Sequence, residues 1–140
     1  GFMADLTPEI LAEKENVEQA LNNLSETMKR PKKSVIELAA AGTFLHNFYS
    51  GIENIMKQSL LIKGVKIEKS TNWHKDLLNK ATDSKIISSE LSGELYEYLA
   101  FRHFFVHSYG FKLEEKYLRE LADKARQISD RFFKEIKAAM

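Results

Sequence analysis

The stretch SVIELAAAGTFLHNFYSGIENI, residues 34–55, decides the fold. It opens with Ser34 and Glu37 at capping-box spacing, where each side chain satisfies the other residue's backbone N–H at a helix start. Leu38, Ala41, Leu45, Phe48, Ile52 and Ile55 then recur at steps of three, four and three, and Phe44, Tyr49 and Met56 widen the stripe. An apolar face that broad has to be covered by several neighbours, so this helix belongs at the centre of a bundle. It runs to about Ile62, where Lys63-Gly64 ends it. His46, Asn47, Ser50, Glu53 and Asn54 fall on its other side. They read as mostly solvated, with some able to line a cleft.

Upstream, Thr7-Pro8 opens another helix, with threonine as N-cap and proline at the first helical position. Ile10, Val17, Leu21, Leu24 and Met28 give it a narrow stripe. Lys29-Arg30-Pro31-Lys32-Lys33 closes it and reads as a solvated basic turn. Downstream, residues 63–72 form a polar connection. A short helix follows Asn72, anchored by Trp73 and Leu77, with His74 exposed or lining a cleft. Thr82-Asp83-Ser84 breaks the chain again. A fourth helix starts near Ser88 or Ser89, carries Leu91, Leu95, Tyr98, Leu99, Phe101 and Phe105, and stops at Gly110. A last helix runs from about Leu113 to the end, with Tyr117, Leu121, Ala125, Ile128, Phe132 and Ile136 as its buried stripe. The fold class is all-α. Four long helices and one short one, joined by short connections, should pack as an antiparallel bundle.

Composition sets bounds on function. The 140 residues fit a single domain, 44% hydrophobic and 29% charged, hence globular. Gly1-Phe2 ahead of Met3 reads as an expression remnant. A formal net charge of +1 provides no whole-surface field for nucleic acid, so contact with a polyanion must be local. The absence of cysteine excludes disulfides, thiol catalysis and cysteine zinc sites, and agrees with a cytoplasmic location. No apolar run approaches the roughly 20 residues that span a bilayer.

The chemistry concentrates in Arg102-His103-Phe104-Phe105-Val106-His107-Ser108-Tyr109. Arginine binds phosphate bidentately, histidine moves protons near neutral pH, and tyrosine offers a hydroxyl. At about 100° per residue, Arg102 and Tyr109 nearly eclipse and His103 and His107 share a face. Arg102 and His107 stand about 140° apart on a regular helix. They meet only if the helix end distorts, or if two copies about a two-fold axis share a cleft. Three readings fit the cluster: surface decoration of a core helix, a metal site on His103 and His107 completed by Glu97, Glu53 or His74, and metal-independent phosphodiester chemistry. The metal reading lacks the His-Glu-x-x-His pattern. The third needs a proton shuttle, which His107 supplies, and a cation for the phosphorane, which Arg102 supplies, with His103 assisting.

At these residues the sequence resembles the HEPN superfamily and, within it, the HepT-like ribonuclease toxins. The superfamily hallmark is arginine, a polar residue directly after it, and histidine with four to six residues between it and the arginine; Arg102, His103 and His107, with four residues between, match. The HepT branch adds a tyrosine two residues later, which Tyr109 matches. Leu38 to Ile55, Asn72 to Ala81 and FRHFFVHSYGF also look like this branch, and the likeness covers roughly residues 35 to 120. The resemblance implies a homodimeric HEPN-type bundle with the motifs facing across a cleft. It implies a metal-independent endoribonuclease toxin, without cofactor, acting on RNA rather than DNA. Arg102, His107 and His103 would be its catalytic residues. It further implies a minimal nucleotidyltransferase antitoxin of the MntA kind, which adenylylates the motif tyrosine, here Tyr109, with ATP. Phosphate placed there would pair with Arg102 and exclude RNA. The alternative is a non-catalytic HEPN partner that binds a nucleotide or a nucleotidyltransferase.

Overall fold

The computed structural model describes residues 6–31, 33–107 and 113–140, in five α-helices: α1 (Pro8–Met28), α2 (Val35–Ile62), α3 (Trp73–Asp83), α4 (Ser89–His107) and α5 (Glu115–Ala139). The helix starts follow from local chemistry. Thr7 Oγ1 accepts from the Ile10 N–H at 3.2 Å, with Pro8 behind it. Ser34 Oγ accepts from the Glu37 N–H at 3.2 Å while the Glu37 carboxylate accepts from the Ser34 N–H at 3.0 Å, which completes the capping box. Each such cap stabilises by about 1 kcal/mol. Gly64 ends α2 at φ +76°, and the Val65 N–H reaches back to the Leu60 carbonyl at 2.9 Å. That left-handed turn suits a residue without Cβ. The same turn closes α3 at Lys85, φ +60°, with Ile86 N–H bonded to Ala81 O at 2.9 Å and the Ile86 side chain buried.

Helix α2 touches all four others. Its stripe from Ala41 through Leu45, Phe48, Ile52 and Ile55 to Leu60 is buried, and Leu38 and Phe44 pack at the margin. Contacts between neighbours run in opposite directions along the chain. Between α4 and α5, Ser88 meets Glu135, the Tyr98 hydroxyl donates to Leu121 O at 2.6 Å, and Phe101 lies against Tyr117. Between α1 and α5, Met28 O accepts from Arg119, Glu18 pairs with Arg126, and Lys14 sits over Phe133. Between α2 and α4, Phe48 packs edge-on against Tyr98, whereas Gly42 meets Phe105. A Cβ on Gly42 would lie 2.6 Å from Phe105 Cε1, so α2 has glycine where the end of α4 comes closest.

Two expectations need correction. Tyr117 is 37% exposed, and Leu118 takes the buried position in α5 because it, not Tyr117, lies in line with Leu121 and Ala125. The basic turn after α1 is only partly solvated. The Lys33 side chain is buried and bridges Arg30 O at 2.7 Å and the Glu115 carboxylate at 3.2 Å, tying the turn to the start of α5. Lys32, Gly110 and the proposed stop of α4 lie outside the described residues.

Candidate functional site

The last two turns of α4 and the start of α3 enclose a cleft of about 580 Å³, within the usual range for a small-ligand site. Leu99, Ala100, Arg102, His103, Val106 and His107 line it from α4, and Trp73 and His74 from α3. The α4 residues fall at steps of one, three and four, so they make one broad helix face. Arg102 and His107 occupy opposite edges of that face and His103 lies between. The expected 140° separation therefore stands, and a wide cleft, rather than a distorted helix, brings both residues to one space. Tyr109 lies outside the described residues.

The two edges differ in environment. His103 and His107 are exposed, their rings 4.6 Å apart. Arg102 is half-buried and points its charge toward α2 and α3. Burial lowers His46 and His74, and the Arg102 field adds to that lowering while it counteracts the burial-driven rise of Glu53. Arg102 Nε is buried without a hydrogen-bond partner among the described residues. A buried, unpartnered N–H on a guanidinium is costly, and an anion entering the cleft would find a cation already in place.

Glu53 is the residue that sequence reasoning underestimated. It is 3% exposed, and its carboxylate lies 2.7 Å from His74 Nδ1. Burial raises Glu53 to about 7, against the opposing charges of Arg102 and Lys57. Burial lowers His74 to about 4, with Arg102 and Lys57 adding to the effect. The pair holds a proton between carboxylate and imidazole up to near neutrality. Burial and the neighbouring Glu53 also raise the Tyr49 hydroxyl, which has no hydrogen-bond partner among the described residues. Trp73 stacks on His74 with ring centroids 3.6 Å apart, and Lys57 Nζ sits 4.1 Å over the indole. The Trp73-His74 dipeptide was the available signal, but nothing in the sequence tied it to a carboxylate on another helix. Glu97, considered above as a metal ligand, is paired with Lys124 at 3.0 Å. Among the described residues no group of three or more histidine, aspartate or glutamate side chains is placed to hold a metal ion. No described helix is long and apolar enough to cross a membrane.

Five helices that bring one arginine and three histidines to a common cleft define a class: a small all-α domain with a groove lined by a guanidinium and imidazoles. A family model for HepT-like proteins matches residues 40–140, and the chain belongs to that family. The match includes both walls of the cleft and continues through α5, further than the sequence resemblance reached. The fold is shared with a chain in a crystal structure described as that of the toxin-antitoxin with AMP-PNP. The TM-score is 0.82 at 13% identity, covering 94% of this chain and 99% of that one. No curated protein sequence matches.

Proposed function

We propose that the chain is a metal-independent endoribonuclease toxin of a toxin-antitoxin pair, acting in the cytoplasm as a homodimer. The observation that carries this reading is the shared cleft of Arg102, His103 and His107, with Arg102 Nε buried beside it and without a hydrogen-bond partner among the described residues. In the reaction, the RNA 2′-hydroxyl attacks the adjacent phosphorus. Arg102 holds the non-bridging oxygens and neutralises the charge that builds on them. His107 transfers a proton as general acid or base, and His103, beside it, supports that transfer. In the dimer, two antiparallel bundles of four long helices and one short one pair about a two-fold axis. Exposed Phe104 and Val106, on the helix that carries both histidines, suit a self-complementary contact.

The partner is a MntA-like nucleotidyltransferase antitoxin that transfers AMP from ATP to Tyr109. The family match and a structural relative described as a toxin-antitoxin with AMP-PNP support this pairing. Purified protein should cleave RNA in excess EDTA, and Arg102→Ala or His107→Ala should abolish cleavage with helix content unchanged. Cleavage by both variants as fast as by the wild type would refute the catalytic assignment. Incubation with the nucleotidyltransferase and ATP should add the mass of AMP to the wild type and not to Tyr109→Phe. Tight nucleotide or partner binding with no RNA cleavage would favour the non-catalytic alternative.

A further inference from the structure

We infer that His74, held by Glu53, is the general base that removes the proton from the attacking 2′-hydroxyl, with His107 as the general acid for the leaving 5′-oxygen. This inference rests on the ribonuclease reading and assigns the second proton transfer that the Arg102/His107 pair leaves open.

The geometry is that of a carboxylate-oriented imidazole. The Glu53 carboxylate is buried inside the protein and lies 2.7 Å from His74 Nδ1. That contact fixes the tautomer and ring plane, as a buried carboxylate does for a catalytic histidine. With Nδ1 engaged, Nε2 is the ring nitrogen left to meet a ligand. The ring lines the same cleft as Arg102, His103 and His107, on the opposite wall. Trp73 stacked on its face, itself capped by Lys57, blocks ring rotation. A buried charged residue without a role would be a net cost on α2; next to a base it stabilises the imidazolium as it forms. As pH rises the pair gives up its last proton, that of the buried Glu53 carboxyl, near 7, with the His74 ring already neutral. Above that point Nδ1–H donates to the Glu53 carboxylate and Nε2 carries a free lone pair.

The step balances without any further reagent. The 2′-O–H proton moves to His74 Nε2 as the 2′-O–P bond forms. The P–O5′ bond breaks as His107 imidazolium protonates O5′. The products are a 2′,3′-cyclic phosphate and a 5′-hydroxyl, and exchange of protons with water restores both histidines.

The test uses a short RNA that contains a cleavage site mapped for the wild type, in natural form and with sulfur replacing the bridging 5′-oxygen. A thiolate leaves without an acid but still needs the 2′-hydroxyl deprotonated. His107→Ala should lose about 10²–10⁴-fold on natural RNA and regain most of it on the sulfur substrate. His74→Ala should lose a similar factor on both. Glu53→Gln, which keeps a hydrogen-bonding group at the ring, should lower kcat on both substrates with KM unchanged and carries the test if His74→Ala fails to fold by circular dichroism. Wild-type rates in the His74 and Glu53 variants, or sulfur rescue equal to that of His107→Ala, would overturn the base assignment alone. A wild-type protein that cleaves no RNA would overturn the ribonuclease reading and this inference with it.

Discussion

Replacing His74 with alanine leaves the Glu53 carboxyl buried without its imidazole, and the consequence is a change in how stability depends on pH. In the folded protein Glu53 and His74 titrate at about 7 and about 4; their ordinary values are 4.5 and 6.5. Between pH 4.5 and 6.5 the folded pair holds one proton and the unfolded chain also holds one, on histidine. The two linkages oppose each other, so the wild-type pair adds almost no slope there. Without His74, Glu53 contributes stability that is present below 4.5 and lost as pH rises through about 7. At about 1.4 kcal/mol per pH unit this amounts to about 3 kcal/mol between pH 4.5 and 8. Glu53→Gln exposes the opposite slope. His74 then contributes stability that is present above 6.5 and lost as pH falls through about 4, again by about 3 kcal/mol. The charges that face the pair, Arg102 from α4 and Lys57 from α2, remain in both variants. Urea denaturation at half-unit steps from pH 4.5 to 8 measures the three profiles. Any loss from the changed volume shifts a profile without tilting it. Three parallel profiles would refute the coupling.

Three further outcomes follow from packing and backbone geometry. Gly42→Ala should destabilise through contact with the Phe105 ring, because over-packing of about 1–3 kcal/mol exceeds a helix-propensity gain of about 1 kcal/mol. In a Phe105→Ala background the same substitution should stabilise, and an equal effect in both backgrounds by urea titration would contradict the close approach. Lys85→Gly should raise the melting temperature, since it removes about 1 kcal/mol of left-handed strain at φ +60°; a fall would refute the turn geometry. Tyr98→Phe should lose about 1 kcal/mol in chemical denaturation through the missing bond to Leu121 O, with RNA cleavage by the ribonuclease proposed above unchanged.

The helices were legible because their signals are local. Ser34 and Glu37 lie three residues apart, and the buried faces of α1 and α2 repeat at helical spacing that any single helix displays. The site was legible on one wall only. Arg102, His103 and His107 are close in sequence, so their common helix was evident. Their convergence was not, because the width of the space between α3 and α4 depends on packing that no spacing rule encodes. Glu53 was grouped with the solvated side of α2, and its residue type supports that default. Its partner stands 21 residues away across the connection before α3. A pairing between helices leaves no periodic trace. Tyr117 and Leu118 are a one-residue error in phase, small in sequence but enough to exchange an exposed ring for a buried side chain.

The chain has a single tryptophan, Trp73, stacked on His74 at the cleft. Its indole emission is therefore an optical probe already wired to the cleft. An imidazolium in face contact quenches indole fluorescence more strongly than a neutral ring, so the intensity should report the proton on His74, and a ligand that fills the groove should shift the emission wavelength. Binding and titration can thus be followed in the unlabelled protein, one photon source for both.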